Sequence, residues 1–381
     1  MKHFDIKTHI YFGDNALDRL AELPYKNALI IADPFVVSSG LIHHLTVRLQ
    51  QADISWKIFQ DIVPDPPIEK VSAGVDAVLS QRPEVLVAVG GGSAMDSAKA
   101  IREVAGQIDA SVHPSLIAIP TTSGTGSEVT AFSVISDEAN QRKIPLVSDD
   151  MLPDEAILDV EMVKSVPPIV TADTGMDVFT HALEAYVSTN INEFSGALAE
   201  KAIEIVGSFL LRSYLDNNDN HARQKMHVAS CLAGLAFNAA SLGLNHGMAH
   251  QLGSHFHIPH GRANAMLLPH IIEYNSEINK YSRSKTEYPK HVRKYATVAR
   301  TLGLQNFNTV TTVRALSNWT QFMMKEMDMP LSVSETGKCT KEAYFAAIPD
   351  MARAALADAC TATNPRTPTF EEVVELYEQL W

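Results

Sequence analysis

Cysteine is scarce in this chain of 381 residues. Only Cys231, Cys339 and Cys360 are present, an odd number at wide spacing and without a CxxC pair. This pattern argues against a disulfide framework and against a thiolate zinc site. A chain of this length buries a sufficient core without either kind of cross-link, and the composition suits a reducing compartment.

Positive charge is also in short supply. Lys and Arg together number 31 against 44 Asp and Glu, which gives a formal net charge of -13. We therefore expect neither a nucleic acid nor a membrane surface as a partner, since both attract basic proteins. Long apolar runs are missing as well: no stretch approaches the length of a membrane span, and the N-terminus lacks the apolar core of a secretory signal. We expect a cytoplasmic protein.

The first half of the chain alternates short apolar runs with amphipathic stretches. Residues 28–32, 85–89 and 116–119 are apolar throughout and too short for helices, which is typical of strands in a parallel sheet covered on both faces. Helical periodicity fills the segments between them, for example residues 42–51 and 68–82. This alternation predicts a doubly wound, Rossmann-like α/β domain.

The pattern changes near Val166-Pro-Pro168. Beyond it β-branched runs are scarce, and long helical patterns such as residues 194–214 and 225–240 dominate. Thr369 and Glu372 form a capping box before the last apolar run.

A domain boundary is therefore expected at residue 167. Residues 1–167 are predicted to form the α/β domain, and residues 168–381 an all-helical domain. Within the latter, the polar segment 280–290 predicts a surface loop.

A glycine-rich loop follows the second predicted strand. Gly90, Gly91 and Gly92 stand between this strand and a helical pattern, where they allow a ligand to approach the backbone closely. The helix N-terminus that follows offers unpaired N–H groups and a partial positive charge, which suits a pyrophosphate. The loop matches neither GxGxxG nor the Walker A pattern. The alternative is a plain strand-to-helix turn, with Ser93 as the N-cap and Asp96 at the third helical position.

A second polar loop follows the third predicted strand. It contains Thr121, Thr122 and Thr125 among glycines, and ligands of open α/β sheets bind at such strand ends. Asp33 ends the first strand, where a carboxylate can accept a hydrogen bond from the adenosine ribose and repel a 2′-phosphate, favouring NAD over NADP. Its alternative role is to cap a helix that begins with Pro34.

The histidines are concentrated in one region. Of 15 in the chain, six fall between residues 246 and 270, where an even distribution would place about one. They are His246, His250, His255, His257, His260 and His270. Upstream, Asp177 and His181 are four residues apart and share a helix face. In that apolar setting the pair needs a partner, and a divalent cation supplies one. The alternatives are a helix-surface ion pair and, for each histidine singly, an ordinary hydrogen-bonded side chain.

Two long motifs carry a resemblance to a known family. Residues 174–186 (TGMDVFTHALEAY) and 243–265 (GLNHGMAHQLG through IPHGRANA) resemble the metal motifs of the iron-containing (group III) alcohol dehydrogenases. The loops at residues 90–99 and 120–130 are similar to that family's cofactor loops. The similarity continues to residues 364–366 (NPR). Within the family it is greatest toward the propanol and ethanol dehydrogenases of the propanediol- and ethanolamine-utilisation type.

The resemblance implies a site residue by residue. It assigns one divalent metal to Asp177, His181, His246 and His260. It makes His250 a nearby catalytic group rather than a ligand. The family's NAD contacts correspond to Asp33, Asp65, Gly91, Gly92, Ser93, Thr121, Thr122, Thr125 and Lys143. The metal is expected to be Fe(II), with Zn(II) as the alternative, since mixed nitrogen and oxygen ligation suits both.

The function implied is NAD-linked interconversion of small primary alcohols and aldehydes by metal-polarised hydride transfer. His250 would relay the alcohol proton. We expect the site at the junction of the two domains and a homodimer or higher homo-oligomer, with association with a bacterial microcompartment left open. The alternatives are a metallohydrolase using the same ion, a polyol- or glycerol-type dehydrogenase of the same architecture, and a non-enzymatic role. Two departures from the family pattern, Val178-Phe179 and Arg262, bear on pocket shape and substrate size.

Overall fold

The computed structural model describes residues 3–63, 66–137, 142–278, 288–305 and 307–381. The chain divides into two compact units, Met1–Val166 and Pro167–Trp381. Two of the expected NAD contacts, Asp65 and the side chain of Lys143, lie outside the described residues, as does most of the polar segment 280–290.

The first unit consists of a six-stranded parallel sheet, a two-stranded antiparallel hairpin and the helices between them. Its elements are, in chain order, β1 (His9–Phe12), β2 (Asn27–Ala32), α1 (Pro34–Ser38), α2 (Ile42–Gln51), β3 (Ser55–Phe59), α3 (Ile68–Gln81), β4 (Val85–Gly90), α4 (Gly92–Ile108), β5 (Ser115–Pro120), β6 (Phe132–Asp137), β7 (Arg142–Val147) and β8 (Glu155–Leu158). The sheet has the order β1-β8-β5-β4-β2-β3. The three predicted strands correspond to β2, β4 and β5, and the predicted α/β class is confirmed.

Burial on both faces of the sheet explains its uninterrupted apolar strands. In β4, Leu86 and Ala88 face one hydrophobic core, which α3 and α4 complete. Val85, Val87 and Val89 face a second core, to which α2 contributes. All residues of β4 are buried, as expected for a central strand of a doubly wound sheet.

The strand register brings three loops to one edge of the sheet. Val89 pairs with Ala32 of β2 and with Ile119 of β5. Asp33, the glycine-rich loop and the second polar loop therefore leave neighbouring strands side by side. Ligands of parallel sheets bind at this carboxyl edge.

The second unit is helical throughout most of its described residues. Its helices are α5 (Pro168–Val187), α6 (Glu193–Leu215), α7 (Asn220–Ala240), α8 (Leu244–Phe256), α9 (His260–Ser276), α10 (Lys290–Thr301), α11 (Thr309–Glu326), α12 (Lys341–Ala357) and α13 (Phe370–Glu378). Thr369 and Glu372 form the predicted capping box at the start of α13. Among the described residues, no single helix has the length and apolarity to cross a bilayer. Helices α7 and α8 meet both criteria only when they are counted together, and the pair is bent by 109°.

The C-terminal segment fixes the position of α8. Asn364 Oδ1 accepts the backbone N–H of Leu244 at 3.2 Å and a hydrogen bond from Asn275 Nδ2 at 3.1 Å. The Tyr377 hydroxyl donates to the carbonyl oxygen of Met248 at 2.9 Å. The first N–H groups of a helix have no partner within the helix, so Asn364 satisfies one of them and orients the first turn of α8.

Candidate metal centre and cofactor loops

Four of the expected side chains converge at one point in the second unit. They are Asp177 and His181 on α5, His246 on α8 and His260 at the start of α9. One donor atom from each lies within 4.8 Å of the other three. Asp177 Oδ1 is 3.8 Å from His246 Nε2 and 3.6 Å from His260 Nε2. These separations are close to the value of about 3.4 Å between ligands of a tetrahedral ion with bonds of about 2.1 Å.

The chemistry of this donor set fits a divalent cation. Asp177, His181 and His246 are buried, whereas the side chain of His260 is 41% exposed. Burial, followed by the neighbouring His181, His260 and His250, lowers the pKa of His246 well below its usual range, so this ring is neutral and offers a lone pair. A carboxylate and lone pairs brought this close in a buried place repel one another unless a cation lies between them.

Glu184 binds the far side of His246. Its Oε2 lies 2.5 Å from His246 Nδ1. Its carboxylate also accepts the backbone N–H groups of Asn245 and His246 in the first turn of α8. A carboxylate that accepts Nδ1–H leaves the lone pair on Nε2, the atom that faces Asp177.

Asn264 contacts three of the four clustered side chains. Its Nδ2 donates to Asp177 Oδ1 at 2.7 Å and lies 3.1 Å from His246 Nε2 and 3.2 Å from His260 Nε2. Sequence reasoning assigned no role to Asn264 or Glu184. The signal that could have found them is spacing: Asn264 follows His260 by four residues, and Glu184 follows Asp177 by seven, so each shares a helix face with its neighbour in the cluster.

His250 lies beside the cluster rather than within it. Its ring stacks on that of His260 with centroids 5.4 Å apart, and its Nδ1 is 2.8 Å from Asp358 Oδ2. Asp358 also caps the 3-10 turn Ala359–Thr363 by accepting the N–H of Cys360. Sequence reasoning missed Asp358, because no local spacing relates it to a residue 108 positions away.

Helices α5 and α9 approach each other closely beside the cluster. A methyl group on Gly261 would lie 2.0 Å from the carbonyl oxygen of Asp173, so only glycine fits. Next to it, Arg262 forms two hydrogen bonds with the carboxylate of Asp173. The departures from the family pattern therefore have structural explanations: Arg262 is paired with Asp173, and Val178 and Phe179 are buried in the hydrophobic core.

The two glycine-containing loops of the first unit are adjacent. A methyl group on Gly92 would lie 2.9 Å from Thr125 Cγ2, and one on Gly91 would lie 3.7 Å from Thr122 Oγ1. The N-cap of α4 is Gly91, without a side-chain hydrogen bond. The alternative with Ser93 as the N-cap is therefore wrong, because Ser93 already lies within the first turn. The carboxyl ends of β4 and β5 carry six of the expected NAD contacts: Gly91, Gly92, Ser93, Thr121, Thr122 and Thr125.

Asp33 uses its two carboxylate oxygens differently. Oδ1 accepts the N–H of Val36 at 2.9 Å and caps α1, so the capping interpretation is confirmed. Oδ2 lies next to Gly90, where a methyl group would be 2.7 Å from it, and φ of Gly90 is +150°. Both the close approach of Asp33 and the positive φ require glycine at position 90. Capping therefore leaves one carboxylate oxygen beside the glycine-rich loop.

A buried lysine joins α4 to the second loop. Lys99 Nζ donates to Ser127 Oγ at 2.8 Å, to Thr130 Oγ1 at 3.2 Å and to the carbonyl oxygen of Phe132 at 2.9 Å. Asp96, on the same helix, accepts a hydrogen bond from Ser127 Oγ at 2.6 Å. Burial lowers the pKa of Lys99 from 10.5 to about 8. Lys99, the last residue of the 90–99 motif, thus holds α4 against the second loop, a role that the sequence analysis did not assign.

Lys99 is expected to make stability depend on alkaline pH. The folded protein releases the Lys99 proton near pH 8 and the unfolded chain near pH 10.5, so stability should rise as the pH increases across this interval. Lys99→Met should remove up to about 3 kcal/mol of that rise, measured by denaturant unfolding of both proteins over the interval. Lys57→Met, at an exposed position of β3, is the control and should keep the wild-type slope. An unchanged slope in Lys99→Met would contradict this role.

The chain is similar to known proteins over its whole length. Residues 7–160 match the profile of the iron-containing alcohol dehydrogenases, and residues 171–381 match that of the C-terminal part of the Fe-containing alcohol dehydrogenase family. The chain is 44% identical to 1-propanol dehydrogenase PduQ of Citrobacter freundii over 100% of both sequences. It is 36% identical to the NADPH-dependent butanol dehydrogenase of Clostridium saccharobutylicum, over 99% of this chain and 97% of that one. Its fold is similar to the crystal structure of a 1,3-propanediol oxidoreductase, with a TM-score of 0.89, 31% identity and 100% coverage of both chains.

A Rossmann-like unit followed by a helical unit with a His/Asp cluster is typical of a metal-dependent dehydrogenase. The chain belongs to the iron-containing alcohol dehydrogenase family. It is an alcohol oxidoreductase, which decides against the metallohydrolase and the non-enzymatic alternatives.

Proposed function

We propose that this chain is an NAD(H)-linked dehydrogenase for short primary alcohols and aldehydes. It would use one divalent cation, Fe(II) or alternatively Zn(II), held by Asp177, His181, His246 and His260. The observation that carries the proposal is that donor atoms from these four side chains lie within 4.8 Å of one another. When bound, such a cation acts as a Lewis acid that lowers the pKa of an alcohol hydroxyl and polarises an aldehyde carbonyl.

The neighbouring side chains prepare the cluster for this chemistry. As a carboxylate, Glu184 would accept Nδ1–H of His246 and so keep Nε2 available. His260 is the one exposed member of the four, so substrate enters from its side. His250, stacked on His260, accepts the hydroxyl proton on Nε2, because Asp358 holds the other ring proton on Nδ1.

The first unit would bind the dinucleotide, which accepts or donates the hydride. The backbone N–H groups of Gly91, Gly92 and Ser93 open α4 and suit the pyrophosphate. Hydroxyls of the second loop would bind the ribose and nicotinamide end, through Thr121, Thr122 and Thr125. Asp33 Oδ2 would accept a hydrogen bond from the adenosine ribose. Asp65 and Lys143 remain expectations from the family resemblance.

The substrate class and the cellular setting are also proposals. Similarity to propanol and butanol dehydrogenases favours alcohols of a few carbons over polyols. We expect a cytoplasmic homo-oligomer, with a microcompartment as the alternative location. Light scattering of the purified protein and cell fractionation test these two expectations.

The decisive experiment separates the metal from the protein. Chelation should abolish NAD reduction by ethanol, 1-propanol and 1-butanol. Anaerobic reloading with Fe(II) should restore it most fully, and Zn(II) less so. NADH binding, followed by its fluorescence, should survive chelation, because the glycine-rich loops contain none of the four donors. Absence of activity with every divalent metal would overturn the proposal.

Asp33→Asn is expected to relax the preference for NAD. Asparagine caps a helix as well as aspartate does, so the hydrogen bond to Val36 should persist while the negative charge is lost. We expect the ratio of kcat/KM for NADP to that for NAD to rise about tenfold, equivalent to about 1.4 kcal/mol. Asp53→Asn, which removes the same charge at an exposed position, should leave the ratio unchanged. A similar ratio in Asp33→Asn and the wild type would exclude Asp33 from coenzyme selection.

A further inference from the structure

A second group of metal-ligating side chains lies next to the Asp177 cluster. His250, Asp358 and Cys360 each present a donor atom, and the three atoms lie within 4.8 Å of one another. The proposed reaction makes no use of Cys360. Its isolation from other cysteines in the sequence argued against a thiolate site, but the fold places it beside a histidine and a carboxylate from elsewhere in the chain.

We propose that His250, Asp358 and Cys360 form a second cation site that prefers Zn²⁺ and through which excess zinc inhibits the enzyme. The preference follows from the donor types, because a thiolate combined with an imidazole and a carboxylate suits zinc better than Fe(II) or Mg²⁺. The Asp177 cluster contains no sulfur. The inhibitory effect rests on the proposed function, since it requires that His250 accept the substrate proton.

The carboxylate of Asp358 contacts both of the other residues. Its Oδ1 accepts the backbone N–H of Cys360 at 2.9 Å, and its Oδ2 lies 2.8 Å from His250 Nδ1. The three donor atoms of His250, Asp358 and Cys360, one from each residue, lie within 4.8 Å of one another. The side chain of His250 is 34% exposed, so a cation can enter from solvent.

Zinc binding here would exchange a proton for the metal. The S–H bond of Cys360 breaks, its proton passes to solvent, and a bond forms between sulfur and zinc. The Nδ1 lone pair of His250 binds zinc once its proton has moved, through solvent, to Nε2. Because Nε2 then carries a proton, it no longer accepts one from the alcohol.

The surroundings of Cys360 make this site the weaker of the two. Burial, followed by the charges of Asp358 and Glu184, raises the pKa of the thiol well above its usual value. A metal must therefore displace a tightly held proton. The Asp177 cluster would fill first, and the second site only at higher zinc concentration.

Cobalt(II) provides a probe that does not depend on turnover. Added anaerobically to the metal-loaded enzyme, Co²⁺ should produce the near-ultraviolet charge-transfer absorption of a cobalt–thiolate bond, which the sulfur-free Asp177 cluster does not give. Cys360→Ser keeps a polar side chain of similar size and should lose the absorption. Cys231→Ser and Cys339→Ser are matched controls and should retain it. An absent band in the wild type, or a band that survives in Cys360→Ser, would overturn the site.

Zinc inhibition tests the consequence of the site for the reaction. Excess Zn²⁺ should displace the cobalt absorption and inhibit alcohol oxidation over the same concentration range. In Cys360→Ser, about tenfold more zinc should be needed for half inhibition. Equal inhibition of both proteins would show that zinc acts at the Asp177 cluster and would overturn the inhibitory role. If the proposed function itself is wrong, the result is different: no metal supports NAD-linked turnover, but the cobalt–thiolate band remains.

Discussion

Replacing His260 with alanine is expected to weaken binding of a divalent cation by more than about a hundredfold, since removing even a residue that only supports a ligand costs ten- to a hundredfold. Alcohol oxidation should fall to background. His260 Nε2 lies 3.6 Å from Asp177 Oδ1, and its loss leaves three donors and an open side. Metal content after dialysis and competition with a chromogenic chelator measure the affinity.

Binding of NADH should be unaffected in the same variant, in contrast to binding of the metal. None of the expected NAD contacts belongs to the second unit, so NADH fluorescence titration of His260→Ala should give a dissociation constant close to that of the wild type. His255→Ala, which removes an exposed histidine from the end of α8, is the matched control and should keep both metal and activity. Full activity in His260→Ala would show that the ligand assignment is wrong.

Gly261→Ala is expected to disable the same centre without removing a donor. The added methyl group would lie 2.0 Å from the carbonyl oxygen of Asp173 and 3.2 Å from Asp177 Cβ. Helices α5 and α9 would have to move apart, which separates Asp177 from His260. Overpacking of this kind costs about 1–3 kcal/mol of stability, and we expect metal affinity to fall at least about tenfold.

Gly253→Ala distinguishes this effect from a general effect of alanine in a helix. At Gly253 the nearest atom to an added methyl group is the carbonyl oxygen of Ile258, at 3.7 Å, which is ordinary contact. This variant should therefore bind metal normally and gain up to about 1 kcal/mol from better helix propensity. Thermal unfolding and metal titration of the two variants provide the comparison. Wild-type metal affinity in Gly261→Ala would show that the close approach of α5 and α9 is not required.

The strands that could be predicted from sequence are those whose neighbours bury them on both faces. β2, β4 and β5 are apolar from end to end because the sheet is covered on both sides. β3 lies at the sheet edge and mixes exposed with partly buried residues, so its sequence shows neither an apolar run nor regular alternation. β1 has only four residues, and little local signal remains in so short a strand.

In the candidate site, too, contacts between residues close in sequence could be predicted, whereas contacts between distant residues could not. Asp177 and His181 were recognisable as a pair because they are four residues apart, about one helical turn, and so lie on the same face of a helix. The hydrogen bond between His250 and Asp358 joins segments 108 residues apart, and no periodicity encodes such a contact. The alternative N-cap of α4, Ser93, was wrong for another reason: three consecutive glycines let the helix begin two residues earlier than a capping serine would require.

The hydrogen bonds from Asn364 and Tyr377 to α8 also affect biosynthesis. During translation, Leu244 emerges 120 residues before Asn364, and Met248 emerges 129 residues before Tyr377. Until Asn364 and Tyr377 have been synthesised, the helix that carries His246 and His250 lacks these partners. We therefore expect the proposed cation to bind only after Asn364 and Tyr377 have been synthesised.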